Sequence, residues 1–154
     1  MTARIIPVKL FQIEEPEGGP TDPSSPGAAI GVDAAGAEAQ VAFSVGGNPV
    51  VLADREGFEL MAPVPTVEAG RAEWRELFEA TKLRAERTLL RPVTHAVLVL
   101  ADAPEAGIVG ALHDVAGEAG LALLRIVARP ELPAGSDPAL EAAMLAEDSA
   151  PRTV

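Results

Sequence analysis

The sequence predicts a three-layer α/β protein in which a mixed β-sheet lies between helices. Two observations lead to this fold class. Short apolar runs in the first third of the chain have strand spacing and are joined by a tight turn, which is typical of an antiparallel hairpin. Two later apolar runs alternate with amphipathic helical segments, which is the pattern of β-α-β crossovers. The predicted order is β-β-β-α-β-α-β-α, with the later strands parallel to the first.

The composition indicates a single acidic domain and excludes several classes of function. The 154 residues include 23 carboxylates against 12 Lys and Arg, and the formal charge is −11. This charge repels phosphate backbones and anionic lipids, so neither nucleic acid nor a membrane surface is an expected partner. The absence of cysteine excludes thiolate metal sites and thiol nucleophiles. No apolar run is long enough for a signal peptide or membrane helix, and a cytoplasmic location is expected.

The N-terminal third begins with segments that differ sharply in composition. Ile6, Val8 and Leu10 alternate with polar or small residues, and Phe11 lies on the opposite face. The following stretch is rich in Pro and Gly and acidic, which is typical of a flexible linker. The predicted organisation is an extended arm over 1–13, a linker over 14–29, one domain over 30–148 and a polar tail over 149–154.

Three strands are expected after the linker, within AIGVDAAG, QVAFSV and PVVLADREG, and a Gly-Gly-Asn-Pro turn joins the last two. Residues 62–70 are expected to be irregular. Residues 71–90 predict a helix of about five turns that Pro92 ends. Its expected buried face is Trp74, Leu77, Phe78, Thr81, Ala85, Thr88 and Leu89.

The remaining elements alternate between buried strand and helix. THAVLVLA and LALLRIVA are near-continuous apolar runs, typical of strands covered on both faces. Pro104 is expected to open the helix between them and Gly120 to end it. Asp137 is predicted to cap a short last helix. The expected buried faces of these two helices are Ile108, Ala111, Leu112, Val115 and Ala119, and Leu140, Ala143 and Met144.

Three blocks of the chain resemble the ATPase domain of DnaK-type heat-shock chaperones. Residues 30–57 resemble its opening I-G-I-D-L-G-T-T and G-G-x-P-x-V-I, residues 92–101 its P-V-x-x-A-V-I-T-V-P, and residues 113–130 its A-G-L-x-V-L-R-I-I-N-E-P. The blocks occur in the same order and cover about half of the chain. The resemblance implies a ribonuclease-H-like fold, specifically one lobe of an actin-like ATPase.

Departures from the family pattern imply that ATP hydrolysis is lost. Where the family has a glycine and two hydroxyl residues beside the nucleotide phosphate, this chain has Ala35, Gly36 and Ala37 after the retained Asp33. Arg129 stands where the family has a catalytic glutamate. Only residues 58–72 bridge the position of a subdomain with a catalytic lysine, and the second lobe of the cleft is missing. The resemblance therefore implies a pseudo-ATPase without a cofactor, in which Asp33, Ala35 and Gly36 are a nucleotide-binding remnant.

Two alternatives remain at this stage. One is a regulator that binds ATP or ADP with Mg²⁺ and is completed by a partner or a second copy. The other is a two-metal nuclease, because the fold places carboxylates at such positions: Asp33, one of Glu73, Glu76 or Glu79, and Asp102. His95 and His113 have no partners at triad spacing and are predicted to be structural or surface residues.

The function that the sequence favours is a non-catalytic protein-interaction module, such as an accessory subunit, adaptor or assembly factor. Ile6, Val8, Leu10 and Phe11 are the predicted partner-binding residues, because an apolar extended arm can add a strand to another sheet. The same arm could instead fold back on its own sheet. The expected partner is another protein, with a homo-oligomer left open.

Overall fold

A computed structural model describes residues 27–53, 61–66 and 70–151 and shows an α/β architecture. The elements in chain order are β1 (Ala28–Ala34), β2 (Glu38–Val45), β3 (Asn48–Val51), β4 (Met61–Pro63), α1 (Arg71–Leu89), β5 (Val93–Leu100), α2 (Ala106–Glu118), β6 (Ala122–Ala128), a 3-10 turn (Arg129–Glu131) and α3 (Pro138–Ser149). The predicted arm over residues 1–13 lies outside the described residues. β1 includes Ala28 and Ala29, which the prediction had assigned to the linker over 14–29, and residues 14–26 of that linker lie outside the described residues.

The strands form one mixed sheet in the order β3-β2-β1-β5-β6. β2 is antiparallel to β1 and β3, whereas β1, β5 and β6 are parallel. β4 pairs with the first residues of β2, and β3 pairs with the last residues of β2. Both strands therefore lie on the side of β2 that faces away from β1. β4 is an addition to the predicted order, within a stretch expected to be irregular. The parallel arrangement of the later strands is confirmed.

The helices lie on both faces of the sheet, which confirms the three layers. The buried residues of α1 and α2, including Trp74, Phe78 and Leu112, share one core with Ile30 and Leu98. The buried residues of α3 belong to separate clusters on the opposite face. Those clusters contain Ala29, Val97, Val99, Val127, Ala142 and Ala146, and Ala42, Ala139 and Ala143.

Small residues allow α3 to lie unusually close to β1. Its buried residues are all alanines, and two of them, Ala142 and Ala143, lie against Gly31 in the middle of the strand. Asp137 caps the helix as predicted, since its Oδ1 accepts a hydrogen bond of 2.9 Å from the N–H of Ala139. The predicted face was wrong at Met144, which is 38% exposed, because the helix turns its alanines toward the sheet.

Several further details of the prediction were wrong. β6 is an edge strand, with β5 as its neighbour among the described strands, and its Ala122 and Arg125 are exposed. Thr88 is exposed near the end of α1, and α2 begins two residues after Pro104. Gly120 does follow the end of α2 with a positive φ of 84°, as expected for a helix terminator.

A half-buried ion pair near the end of α1, between Lys82 and Glu86, is hydrogen-bonded to the start of β5 at Val93. The Oε2 of Glu86 accepts hydrogen bonds from Lys82 Nζ at 2.7 Å and from the N–H of Val93 at 2.9 Å. Burial alone would raise the pKa of Glu86, but these two hydrogen bonds and the charge of Lys82 together lower it. Glu86 therefore stabilises this junction in its ionised form.

Candidate functional site

The candidate site lies at the edge of the sheet where β1, β5 and β6 end. In open sheets with parallel strands, ligands bind outside the carboxyl ends of the strands, where the following loops converge. Asp33 is the penultimate residue of β1 and Arg129 directly follows β6. With Asp137 at the start of α3, they line an open cleft of about 660 Å³.

Asp33 is half-buried and held by its own turn. Its Oδ1 accepts a hydrogen bond of 3.0 Å from the N–H of Ala35. Burial raises the pKa of the Asp33 carboxyl and outweighs the hydrogen bond from Ala35, which lowers it. The charge of Asp137 raises this pKa further, and that of Arg129 lowers it. The hydrogen bond from Ala35 thus gives Asp33 a local structural role at the end of β1.

The charges of this cleft are unfavourable for a polyphosphate. Of the described residues that line it, Asp33, Glu38 and Asp137 are carboxylates, whereas Arg129 is the one cation. We call it the acidic cleft. A phosphate group placed here would meet three carboxylates, and their repulsion exceeds the attraction of one exposed guanidinium.

A second cleft adjoins the first, and most of its lining residues are Ala, Leu or Pro. It has a volume of about 600 Å³ and shares Arg129 and Pro138 with the acidic cleft. Its other walls include Ala101 after β5, Leu132 and Pro133. We call it the apolar cleft. The two clefts together combine fixed negative charge, one guanidinium and apolar surface.

The predicted nucleotide-binding remnant is only partly assembled. Asp33 and Gly36 line the acidic cleft, but the N–H of Ala35 already donates to the Asp33 carboxylate. A backbone N–H that is paired within its own turn does not bind a phosphate at the same time. The turn over residues 35–37 therefore lacks one of the donors that a phosphate loop would use.

The predicted metal-binding carboxylates are not brought together. Within residues 27–53, 61–66 and 70–151, no group of three or more His, Asp or Glu residues could hold a metal ion. The helix candidates Glu73, Glu76 and Glu79 are exposed on α1, and Glu79 accepts a hydrogen bond from Arg75. Asp102, also exposed, is not among the lining residues of the acidic cleft.

The two histidines have the positions expected of structural or surface residues. His95 is half-buried in β5, with its Nδ1 2.7 Å from Thr94 Oγ1. That oxygen also accepts a hydrogen bond from the N–H of Gly27, which fixes the start of β1. Burial lowers the pKa of His95 and favours the neutral ring. His113 is exposed on α2.

The sequence singled out Arg129, because it stands where the resembling family has a glutamate, but it did not predict that Glu38 lines a cleft or that the apolar cleft exists. Asp137 was predicted only as a helix cap. The signal that could have found the cleft is the Pro-rich stretch over residues 130–138, which connects β6 to α3 at the carboxyl edge. The predicted partner-binding residues of the arm, Ile6, Val8, Leu10 and Phe11, lie outside the described residues.

Comparisons with known proteins leave the geometry as the main guide to function. No protein-family model matches the chain, and a search of the curated proteins found no significant match. In the part of the chain that the structure describes, no helix has both the length and the apolar character needed to cross a membrane.

Proposed function

We propose that this protein is a non-catalytic protein-interaction module, an accessory subunit or adaptor that binds a segment of a partner protein at the carboxyl edge of its sheet. We further propose that it is a degenerate single lobe related to the DnaK-type ATPase domain, with a ribonuclease-H-like fold. The order of its elements, the three-layer packing and the three resembling blocks of sequence support this relationship.

The observation that supports the binding role is the junction of two clefts with different chemistry. The acidic cleft suits a basic side chain, whereas the apolar cleft suits an aliphatic or aromatic one. Protein interfaces commonly combine an apolar anchor with complementary charge at its border. An extended segment with a Lys or Arg beside a large apolar residue matches both clefts at once.

The experiment is the recovery of the untagged protein from its own cells, with measurement of native mass and of any co-purifying chain. We expect a stoichiometric heteromeric complex. Glu38→Lys reverses an exposed charge in the acidic cleft and should weaken the purified complex at least tenfold, because like charges would then face each other. Glu76→Lys makes the same exchange on the exposed side of α1 and is the matched control.

Two results would contradict the proposal. One is a protein that is recovered only as a free monomer or a homo-oligomer. The other is an equal loss of affinity in the Glu38→Lys and Glu76→Lys variants, which would show a general charge effect in place of a defined site.

The alternative of a nucleotide-binding regulator makes a different prediction. A ligand that binds only the native state at 100 times its Kd adds about 2.7 kcal/mol to the free energy of unfolding. Because three carboxylates line the acidic cleft, we expect millimolar Mg-ATP or Mg-ADP to leave the melting temperature unchanged. An increase of several degrees that Arg129→Glu abolishes would favour the nucleotide-binding alternative.

A further inference from the structure

The hairpin of β2 and β3 has an apolar surface that the described residues leave largely uncovered. Val45 is 62% exposed and Val50 is 57% exposed, and the adjoining Phe43 is half-buried. Side chains two residues apart in a strand share a face, and Phe43 pairs with Val50 across the hairpin. These three side chains therefore form one surface, which we call the hairpin patch.

The hairpin patch continues the face of the sheet that α1 covers elsewhere. Val41 and Leu52 lie on this same face and are buried in the core that contains the α1 side chains. The turn at Gly46 and Gly47 projects beyond this core. It is nevertheless held firmly, because Glu147 on α3 accepts hydrogen bonds from the Ser44 hydroxyl and from both turn amides.

The described chain begins beside the hairpin patch. Gly27, the first described residue, lines a groove of about 270 Å³ together with Phe43, Val45, Arg91 and Glu147. Residues 1–26 precede it, and their apolar segment is the alternating Ile6, Val8 and Leu10. The chain that connects this segment to the sheet therefore starts beside the patch.

The connecting residues are long enough for the segment to reach the patch. Residues 14–26 could span up to roughly 40 Å if extended at about 3.1 Å per residue. The distance from β1 to β3 is two strand spacings, or about 10 Å. A short tether of this kind produces an effective concentration in the millimolar range, which favours docking within one chain over docking between chains.

Charge also favours docking of the N-terminal arm on the hairpin patch. Residues 1–13 contain Arg4 and Lys9 and no carboxylate, so they contribute +2 to the total of −11. The described part of the chain contains 15 carboxylates against 8 Lys and Arg, and its net negative charge attracts the basic arm.

The backbone of β3 indicates how the arm would bind. The N–H of Leu52 donates to the carbonyl of Val41 on β2. Because successive residues of an antiparallel strand direct their backbone N–H and C=O groups to opposite sides, the backbone groups of Pro49 and Val51 face the outer edge of the sheet. Pro49 has no N–H to donate there, and the edge offers few hydrogen bonds to an added strand. Side-chain contacts with the hairpin patch are therefore favoured over an extended ladder.

We propose that residues 4–11 of the same chain dock on the hairpin patch, with Ile6, Val8 and Leu10 against Val45 and Val50. This patch adjoins the amino end of β1, whereas the two clefts lie at its carboxyl end. The inference is thus independent of the proposed function.

The absence of cysteine in the chain makes a disulfide test direct. Cysteines are introduced in the full-length protein as Val8→Cys with Val50→Cys, and mild oxidation is followed on non-reducing gels and by mass. We expect an intramolecular disulfide that forms at least tenfold faster than in the control pair, Val8→Cys with Leu83→Cys. Leu83 is 48% exposed on α1, so its accessibility resembles that of Val50.

The outcomes distinguish docking of the arm within one chain from docking of a second copy. Ile6→Cys and Leu10→Cys are also paired with Val50→Cys, so that an unfavourable register does not hide the contact. Monomeric disulfides in at least one of the three Val50→Cys pairs, above the Leu83→Cys rate, support docking within the chain. Dimeric disulfides would overturn the proposal in favour of a second copy. Rates equal to the control in all three pairs would also overturn it, because the arm would then have no preference for the patch.

Discussion

Replacing Gly31 with alanine tests the close packing of α3 on β1. A Cβ at this position would lie 2.6 Å from the carbonyl carbon of Ala142, 2.8 Å from the Ala142 Cβ and closer still to the backbone nitrogen of Ala143. Backbone atoms of a helix cannot move aside by changing rotamer. The added methyl group therefore forces α3 away from the sheet or distorts β1.

The structure places the cost at the upper end of the usual range for overpacking. Extra methylenes in a well-packed core cost about 1–3 kcal/mol, and here a helix must shift as a whole. We expect a loss of about 3 kcal/mol in the free energy of unfolding. For a domain of this size, this loss corresponds to a decrease of about 10 °C in the melting temperature.

Urea unfolding followed by fluorescence measures this effect directly. Trp74, the only tryptophan, is 3% exposed and lies on the opposite face of the sheet from α3. It therefore reports global unfolding rather than the local change. Gly36→Ala is the control, because a Cβ there meets nothing within 4 Å, and it should change stability by less than about 0.5 kcal/mol. A similar small change for Gly31→Ala would refute the close approach of α3 to β1.

Three further predictions concern polar residues and are measured by the same unfolding assay. Glu147→Ala leaves the buried Ser44 hydroxyl without this acceptor and should cost about 1–3 kcal/mol, whereas Asp148→Ala, at the exposed next position, should have little effect. Burial raises the pKa of Asp33 in the folded state, so ionisation of this carboxyl destabilises the fold. Asp33→Asn should therefore increase the free energy of unfolding at pH 7. This gain should vanish as the pH falls below the ordinary pKa of 3.8, where Asp33 is protonated in both states. A gain that persists at low pH would contradict this cause. The pKa of Glu86 is lowered on folding, so ionised Glu86 stabilises the fold above its ordinary pKa of 4.5, and this stabilisation is lost as the pH falls further. The Glu86→Gln variant should be less stable than the natural protein at pH 7 and should approach its stability in acid.

Much of the secondary structure could be predicted because local signals agree with tertiary packing. The spacing of Trp74, Leu77 and Phe78 identified the buried face of α1, and the Gly46–Gly47 turn has the positive φ angles that two glycines permit. Predictions failed where the signal was weak. β4 has only three residues, and they form a strand because β2 offers unpaired backbone groups beside β3.

Position within the sheet was less predictable. β5 and β6 are both apolar runs, yet β5 is central and β6 is an edge strand. Composition does not distinguish these positions, because order in the sheet depends on which neighbours each strand finds. α3 shows a similar limit: Met144 is more hydrophobic than alanine, but the alanines face the sheet because only small side chains fit beside Gly31.

The sequence alone determined the α/β class and the parallel relation of β1, β5 and β6, since both follow from the spacing of apolar residues and the alternation of strands with helices. It could not show that Asp33, Glu38, Arg129 and Asp137 line one cleft. These residues are up to about a hundred positions apart, and they meet because the parallel strands end at one edge and α3 begins at that same edge. Their charges combine only in that arrangement, so the acidic character of the cleft is a property of the tertiary structure.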